Sequence, residues 1–392
     1  MKKPFHIYAS FPVFLAFLCM GFGDVVGPLT GLVKEEFQLS NVAAQLIPFM
    51  GFLMFGVLSV PIGVIQDKFG RKTILMIGLL AATLGLSIPY LAGFSTFGSI
   101  LLGILMLGAG ATFLQVSGNP LMRDVSVPGK YARNLSLAQF IKAIGTLSGA
   151  LIPLIAANYW GGDWRILFPV YIIILLITMI LLMFQKIKEH SKTNLPGASL
   201  TSTFLLLKNK YVLLMVSGIF LYVGAEVSMS SGLPIYLQDT FGLDIARLGL
   251  LGTLFFFIAL MSGRFLGAIV LNWLPARYFL KISVIISLTG FIGLFAGVQI
   301  IAMISIFLLG LGFANIFPLI FSITVESLPE RSNELSGLMV AAIVGGAIVP
   351  LLMGFLADLT SPLIAFAVPL SCLLFITMLA FFTFDPLKPI NT

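Results

Sequence analysis

The chain has 392 residues, of which 59% are hydrophobic and only 9% are charged, and its mean hydropathy is +1.10. A soluble domain carries roughly 25% charged residues, so this composition excludes a soluble globular protein and predicts one that resides in a bilayer. The net charge of +7 does not indicate nucleic-acid binding, because basic residues collect in the cytoplasmic loops of membrane proteins. The apolar runs are continuous rather than alternating, which excludes a membrane β-barrel.

The apolar runs are long enough for twelve membrane-spanning helices, since a span needs about 20 residues. The first run follows MKKPFH and continues to about residue 33 without a small-residue cleavage site, so it is interpreted as a retained helix and not as a signal peptide. The fold class predicted is an all-α integral membrane protein. The predicted spans are 7–32, 41–66, 73–93, 98–121, 134–158, 166–185, 211–237, 246–271, 278–298, 301–325, 335–357 and 362–384.

The distribution of basic residues predicts the orientation of these helices. With the N-terminus inside, nearly all of the 22 Lys and Arg residues fall in inner loops. The outer loops hold only Lys34, Arg165 and Arg247, while Lys142 and Arg264 remain within helices. A bias of this size decides topology. We therefore predict a multi-pass protein of the cell (inner) membrane with both termini in the cytoplasm.

A charged loop, GVIQDKFGRK at residues 63–72, joins the second and third predicted helices. Gly63 allows a neighbouring helix to approach closely, and Gly70 permits a sharp backbone turn. An ordinary basic cytoplasmic loop would account for the charges alone. The spacing G-x-x-x-D-K-x-G-R-K, however, resembles the signature loop between helices 2 and 3 of the major facilitator superfamily. We assign gating roles to Asp67 and Arg71 of this loop.

That resemblance implies two pseudo-symmetric six-helix bundles with a substrate site between them near the midplane. A polar stretch at 186–210 separates six predicted helices from the following six. We therefore predict an N-terminal bundle at 1–190, a cytoplasmic central loop at 191–209 and a C-terminal bundle at 210–392.

Four ionisable residues fall inside predicted spans, namely Asp24, Lys142, Glu226 and Arg264. A charge facing lipid at mid-helix costs at least roughly 2.5–3.5 kcal/mol, so these side chains must face a cavity or one another. A functional site is the default interpretation, and a structural ion pair that locks helices together is the alternative. Arg264 lies toward the cytoplasmic third, where it could snorkel or brace the inner gate.

Other polar side chains share helical faces with these charges. Amides beside aromatic rings suit a hydroxyl-rich ligand, because the amides pair with hydroxyls and the rings cover an apolar sugar face. Each amide alone is equally explained by a hydrogen bond between helices. The predicted substrate-binding residues are Asp24, Gln115, Asn119, Gln139, Lys142, Tyr222, Glu226 and Asn315.

Four stretches narrow the resemblance to one branch of the superfamily. LQVSGNP (114–120), NLSLAQ (134–139), YVGAEVSMSSGLPIYL (222–237) and GAIVPLLMGFLAD (346–358) are similar to the fucose/glucose/galactose permeases. The resemblance implies import of a monosaccharide by alternating access, commonly with protons, by a monomer without a cofactor.

Some functional positions of this branch have the same type of residue in this chain, and others do not. Asp24 falls where fucose permease has its essential helix 1 acid, and Glu226 agrees with the glucose/galactose members. These two acids are therefore the expected proton-coupling residues. Gln115 stands where fucose permease has a glutamate, so the helix 4 acid of that permease is absent here. Lys142 stands where it has an asparagine, so this position carries a positive charge that the resemblance does not imply.

Two interpretations of Lys142 follow. In the first, Lys142 pairs with Asp24 in the resting state and the substrate is a neutral sugar; Asp24 then takes up a proton only when the pair opens. In the second, Lys142 receives the carboxylate of a uronic or sialic acid.

A multidrug exporter of the same fold would require a more apolar cavity. An enzyme is not expected, since no nucleophile–base pair or metal cluster is evident and both histidines, His6 and His190, lie outside the helices.

Overall fold

The computed structural model of the protein describes residues 7–39, 43, 46–124, 126, 129–156, 163–185, 199–242 and 250–382. Every regular element among these residues is a helix. They form two compact units. The first contains the described residues up to Tyr131 and from Ile141 to 185, and the second contains Ala132–Phe140 and the described residues from Ser199 onward.

Seven described α-helices belong to the first unit, except that residues 132–140 of α6 belong to the second unit. Within this unit α4 and α3 both pack along α5, and α7 packs on α4 and α1. The helices are α1 Ile7–Met20, α2 Val26–Glu36, α3 Leu46–Phe69, α4 Arg71–Leu91, α5 Phe97–Asp124, α6 Tyr131–Ile155 and α7 Leu167–Phe184.

The second unit begins with a short helix and continues with nine more described helices. Here α9 packs on α15 and α17, and α12 packs on α11 and α10. The helices are α8 Leu200–Leu205, α9 Lys210–Phe241, α10 Leu250–Val270, α11 Ala276–Leu294, α12 Gln299–Phe313, α13 Ile316–Ser327, α14 Ser332–Ala341, α15 Gly345–Leu359, α16 Pro362–Ala365 and α17 Ala367–Phe382.

The described helices supply the expected membrane spans. Among the described residues, nine helical stretches are long and apolar enough to cross a membrane, and Phe11–Val25 and Leu254–Val270 are shorter apolar helices. Helix α6 adds 25 residues, a sufficient length for a span, although it carries Lys142 in its interior. These segments correspond to the twelve predicted spans.

Four predicted spans are not continuous α-helices where the structure describes them, and in one of these, the twelfth, Phe366 separates α16 from α17. The first span tightens into a 3₁₀ helix at Gly21–Val25 between α1 and α2. The tenth breaks between α12 and α13, and the eleventh contains a 3₁₀ turn at Ala342–Val344, immediately before Gly345. The break in the tenth span is centred on residues 314 and 315, because the proline at position 318 disturbs the carbonyl four residues before it.

The segment predicted as the central loop, 191–209, contains a short helix among its described residues. Ser199 begins α8 with a capping box, in which its side chain accepts from the amide of Ser202 and the Ser202 hydroxyl accepts from the amide of Ser199. Glu334 is buried and accepts a 2.6 Å hydrogen bond from the Ser202 hydroxyl. Arg331 binds both oxygens of Glu334, at 2.5 and 2.7 Å. The Ser199 and Ser202 hydroxyls therefore have hydrogen-bond partners within the second unit.

The turn between α3 and α4 confirms the role predicted for Gly70. Its φ is +83°, in the region that glycine adopts without steric cost. Arg71 begins α4 directly after this turn and is 8% exposed.

Candidate functional site

The first unit contains a buried ion pair between Asp24 and Lys142. Lys142 Nζ lies 2.9 Å from Asp24 Oδ2, and the side chains are 10% and 25% exposed, respectively. The Thr146 hydroxyl donates to the same carboxylate oxygen at 3.2 Å. The pair that the first of the two interpretations requires is therefore present. Asp24 is the more exposed partner, whereas Lys142 is nearly enclosed.

Close packing between the first span and α6 brings these groups together. A Cβ on Gly21 would overlap the Lys142 carbonyl oxygen and come within 2.7 Å of the Thr146 amide. A Cβ on Gly145 would overlap the carbonyl oxygen of Leu18. Only glycine permits backbones to approach this closely. Because Asp24 lies three residues after Gly21 and Lys142 three before Gly145, the contact places the acid beside the lysine.

The 3₁₀ helix that carries Asp24 has a local cause and a packing partner. Pro28 has no amide hydrogen to donate to the Asp24 carbonyl, so the α-helical pattern is interrupted there. Phe22 stacks on Tyr171, with ring centroids 3.8 Å apart and planes inclined by 5°. The Tyr171 hydroxyl lies 2.8 Å from the Ser148 hydroxyl on α6. The segment is thus held between α6 and α7.

The second unit contains the other two intramembrane charges, which also pair. Arg264 Nη2 lies 3.1 Å from Glu226 Oε1, with side chains 7% and 18% exposed, respectively. Tyr222 lies one helical turn before Glu226 and is fully buried. The Tyr222 ring lies beside the rings of Phe313 and Phe317, with centroid distances of 5.8 and 6.4 Å. An acid, a guanidinium and an aromatic surface therefore occur together.

Asn315 lies at the break between α12 and α13 and is 1% exposed. Its Nδ2 donates to the Gly263 carbonyl at 2.7 Å, whereas its Oδ1 has no hydrogen-bond partner among the described residues. A buried acceptor without a partner is costly. Asn315 is thus anchored by one amide atom, and its Oδ1 lies against Gly267 of α10, where an added Cβ would overlap it.

The remaining predicted amides are enclosed. Gln115, Asn119 and Gln139 are 2%, 0% and 2% exposed. Within the described chain, both side-chain amide atoms of Asn119 and Nε2 of Gln139 lack a hydrogen-bond partner. For Asn119, these observations do not support the interpretation that the side-chain amide forms a hydrogen bond between helices. Its backbone carbonyl does accept from the Tyr131 hydroxyl, at 3.2 Å.

The predicted gating residues do not form one group. Arg71 forms an ion pair with Asp124, at the last residue of α5. Arg264 pairs with Glu226 instead, and the side chain of Asp67 lies outside the part of the chain that is described. Asp124 was missed by the sequence reasoning, although an acid at a predicted cytoplasmic helix end near a basic loop was a usable signal. The gating roles of Asp67, Arg71 and Arg264 remain predictions.

Comparison with known sequences identifies the family. Residues 13–343 match the sequence profile of the Major Facilitator Superfamily. The chain belongs to the major facilitator superfamily. It is 30% identical over 355 residues to a glucose/galactose transporter of Brucella abortus biovar 1 (strain 9-941), covering 88% of this chain and 86% of the relative. It is 23% identical over 389 residues to an L-fucose-proton symporter of Escherichia coli (strain K12), covering 91% and 87%.

A solved structure supports the same fold. The crystal structure of FucP, a major facilitator superfamily transporter in the outward conformation, superposes with a TM-score of 0.80 at 21% identity, covering 96% of this chain and 99% of that one. The superfamily fold predicted from the signature loop is confirmed. The chain is a multi-pass membrane protein, and its relatives are transporters and not enzymes. Among the described residues, no three His, Cys, Asp or Glu side chains are grouped as metal ligands.

Proposed function

We propose that this protein is a secondary active transporter that imports a neutral monosaccharide together with protons by alternating access. The observation that carries the proposal is the buried Asp24–Lys142 pair on an interrupted helix. Ionisable residues within membrane spans are rare because they are costly in lipid, and they mark substrate and ion pathways. The relatives whose names specify glucose, galactose or L-fucose support the choice of a monosaccharide.

The neutral substrate follows from the charge balance at Lys142. A buried ammonium needs an anion, and Asp24 supplies it at 2.9 Å. A substrate carboxylate would have to displace Asp24 and leave that acid uncompensated. The acidic-sugar interpretation therefore carries an additional cost that the neutral interpretation does not.

Proton coupling is assigned to Asp24, with Glu226 as the second acid. In both pairs the carboxylate is the more exposed partner, at 25% for Asp24 and 18% for Glu226. Water can therefore deliver a proton to either acid. Protonation of Asp24 would remove the attraction to Lys142 and free the 3₁₀ segment to move relative to α6.

Sugar contacts are assigned to polar groups in each unit. Asn119, Gln139 and Asn315 have buried amide atoms without protein partners among the described residues, and a sugar hydroxyl can donate to or accept from such groups. Tyr222 with Phe313 and Phe317 offers aromatic faces for the apolar side of a pyranose. Gln115 completes the set as a further amide. We also assign the protein to the cell (inner) membrane, in lipid and as a monomer, with both termini cytoplasmic.

Uptake by proteoliposomes tests this proposal. D-Galactose and D-galacturonate form a matched pair that differs only at C6, where one has a hydroxymethyl group and the other a carboxylate. We expect an inwardly directed proton gradient to drive accumulation of galactose, glucose or fucose but not of galacturonate. Accumulation of the acid alone would establish the acidic-sugar alternative. Transport of neither class would contradict the assignment to sugars.

A further inference from the structure

One backbone carbonyl at the break between α12 and α13 has lost its helical donor. Proline at position 318 has no amide hydrogen, so it cannot donate to the carbonyl of Ala314 four residues earlier. Hydrogen bonding continues on either side, from the Ala314 amide to Gly310 at 3.1 Å and from the Leu319 amide to Asn315 at 3.0 Å. The Ala314 carbonyl therefore needs a donor from elsewhere.

Arg264 on α10 supplies that donor. Its Nε lies 3.2 Å from the Ala314 oxygen, and the residue is 6% exposed. Two glycines allow α10 to lie against the break. A Cβ on Gly263 would come within 2.6 Å of Ala314 Cβ, and one on Gly267 would overlap the Asn315 side chain.

The same guanidinium holds Glu226. Nη2 lies 3.1 Å from the Glu226 carboxylate, while Nε binds Ala314. A third acceptor, the Gln139 carbonyl oxygen, lies 3.5 Å from Nη1. A guanidinium has five N–H donors in a fixed planar fork, so the positions of the Ala314 and Glu226 acceptors are linked rigidly. One side chain thus joins an acid on α9 to the broken turn.

We propose that Arg264 is a positioning residue that replaces the amide missing at Pro318 and thereby fixes the Glu226 carboxylate relative to the helix break. Its consequence for sugar binding depends on the proposed function, whereas the positioning itself does not. The two tasks are separable. An amide restored at position 318 can donate to the Ala314 carbonyl in place of Arg264, but it cannot hold the Glu226 carboxylate.

Three variants separate these tasks: Arg264→Gln, Pro318→Ala, and the two combined. A hydrogen bond to a charged group contributes about 1.5–3 kcal/mol, or roughly tenfold or more in an equilibrium. We expect Arg264→Gln to lower the apparent Tm of the purified protein by at least about 2 °C. In the combined variant the amide restored at position 318 serves the Ala314 carbonyl, so most of that loss should be recovered.

The position of Glu226 is measured by its modification with dicyclohexylcarbodiimide, which reacts with protonated buried carboxyls and is located by mass spectrometry. A buried carboxylate without a cation takes up a proton. We expect Arg264→Gln and the combined variant to be modified at Glu226 at least about tenfold faster than the wild type. Glu226→Gln is the control that removes the target, and Pro318→Ala alone should react like the wild type.

The expected result is therefore recovery of Tm without recovery of protection at Glu226. If both recover together, Arg264 is only a structural cap and the positioning role is wrong. If the Tm of the combined variant equals that of Arg264→Gln, or neither variant loses stability, the capping role is wrong. Should Arg264→Gln not be obtained folded, folding of the combined variant still decides the capping role. If wild-type protein binds no sugar, the proposed function fails while both of these measurements still test Arg264.

Discussion

Removal of Lys142 should destabilise the protein more than simultaneous removal of Lys142 and Asp24. Breaking a buried pair by deleting one partner costs roughly 3–5 kcal/mol, because an uncompensated charge remains. The Asp24 side chain is 25% exposed, so water reduces this cost and we expect a loss of about 2–3 kcal/mol for Lys142→Asn. The combined variant Asp24→Asn with Lys142→Asn leaves two neutral amides and should lose less than about 1 kcal/mol.

Equilibrium unfolding of purified protein in mixed micelles, followed by circular dichroism, measures these differences. Thr146→Ala is the matched control, since it removes the 3.2 Å hydrogen bond to Asp24 but leaves the ion pair. Its loss should be about 1 kcal/mol. If the losses of Lys142→Asn and Asp24→Asn simply add up to the loss of the combined variant, there is no coupling energy between the two residues and the reasoning is refuted.

Three further predictions concern specificity, topology and packing. If the wild type binds galacturonate as well as galactose, Lys142→Asn should abolish only the first, with a loss of about 2–5 kcal/mol; equal loss for both sugars would exclude Lys142 as a carboxylate receptor. Single cysteines at Lys68 and Glu35 should react with an impermeant reagent from opposite sides of the membrane, and labelling of both in intact cells would overturn the topology. Gly21→Ala should lower stability by about 1–3 kcal/mol, because its Cβ meets backbone. Gly27→Ala is its control, with nothing within 4 Å, and equal effects would contradict the packing account.

Much of the fold could be read from the sequence because bilayer thickness sets the length of each apolar run. Helix α4, observed at Arg71–Leu91 and predicted at 73–93, illustrates this agreement. The breaks were less predictable. A proline identifies the weakened carbonyl, but the position of the break also depends on what packs there, as Arg264 does at Ala314.

The sequence predicted which charged residues form the candidate site, but it did not predict every ion pair among them. Charges inside apolar runs identified Asp24, Lys142, Glu226 and Arg264, because such charges are costly in lipid. The Arg264–Glu226 pair was not foreseen, since it depends on how α10 packs against α9 and the break. The ion pair between Arg71 and Asp124 joins residues 53 positions apart, and helical periodicity carries no information about such long-range partners.

The central claim, that Asp24 couples protons to sugar movement, is tested most directly by Asp24→Asn in proteoliposomes. Neutral asparagine can still accept from Thr146 but cannot exchange a proton. We predict that this variant exchanges labelled for unlabelled galactose across the membrane yet does not accumulate galactose in response to an inwardly directed proton gradient. Accumulation at the wild-type level would contradict the claim and remove Asp24 from the coupling mechanism.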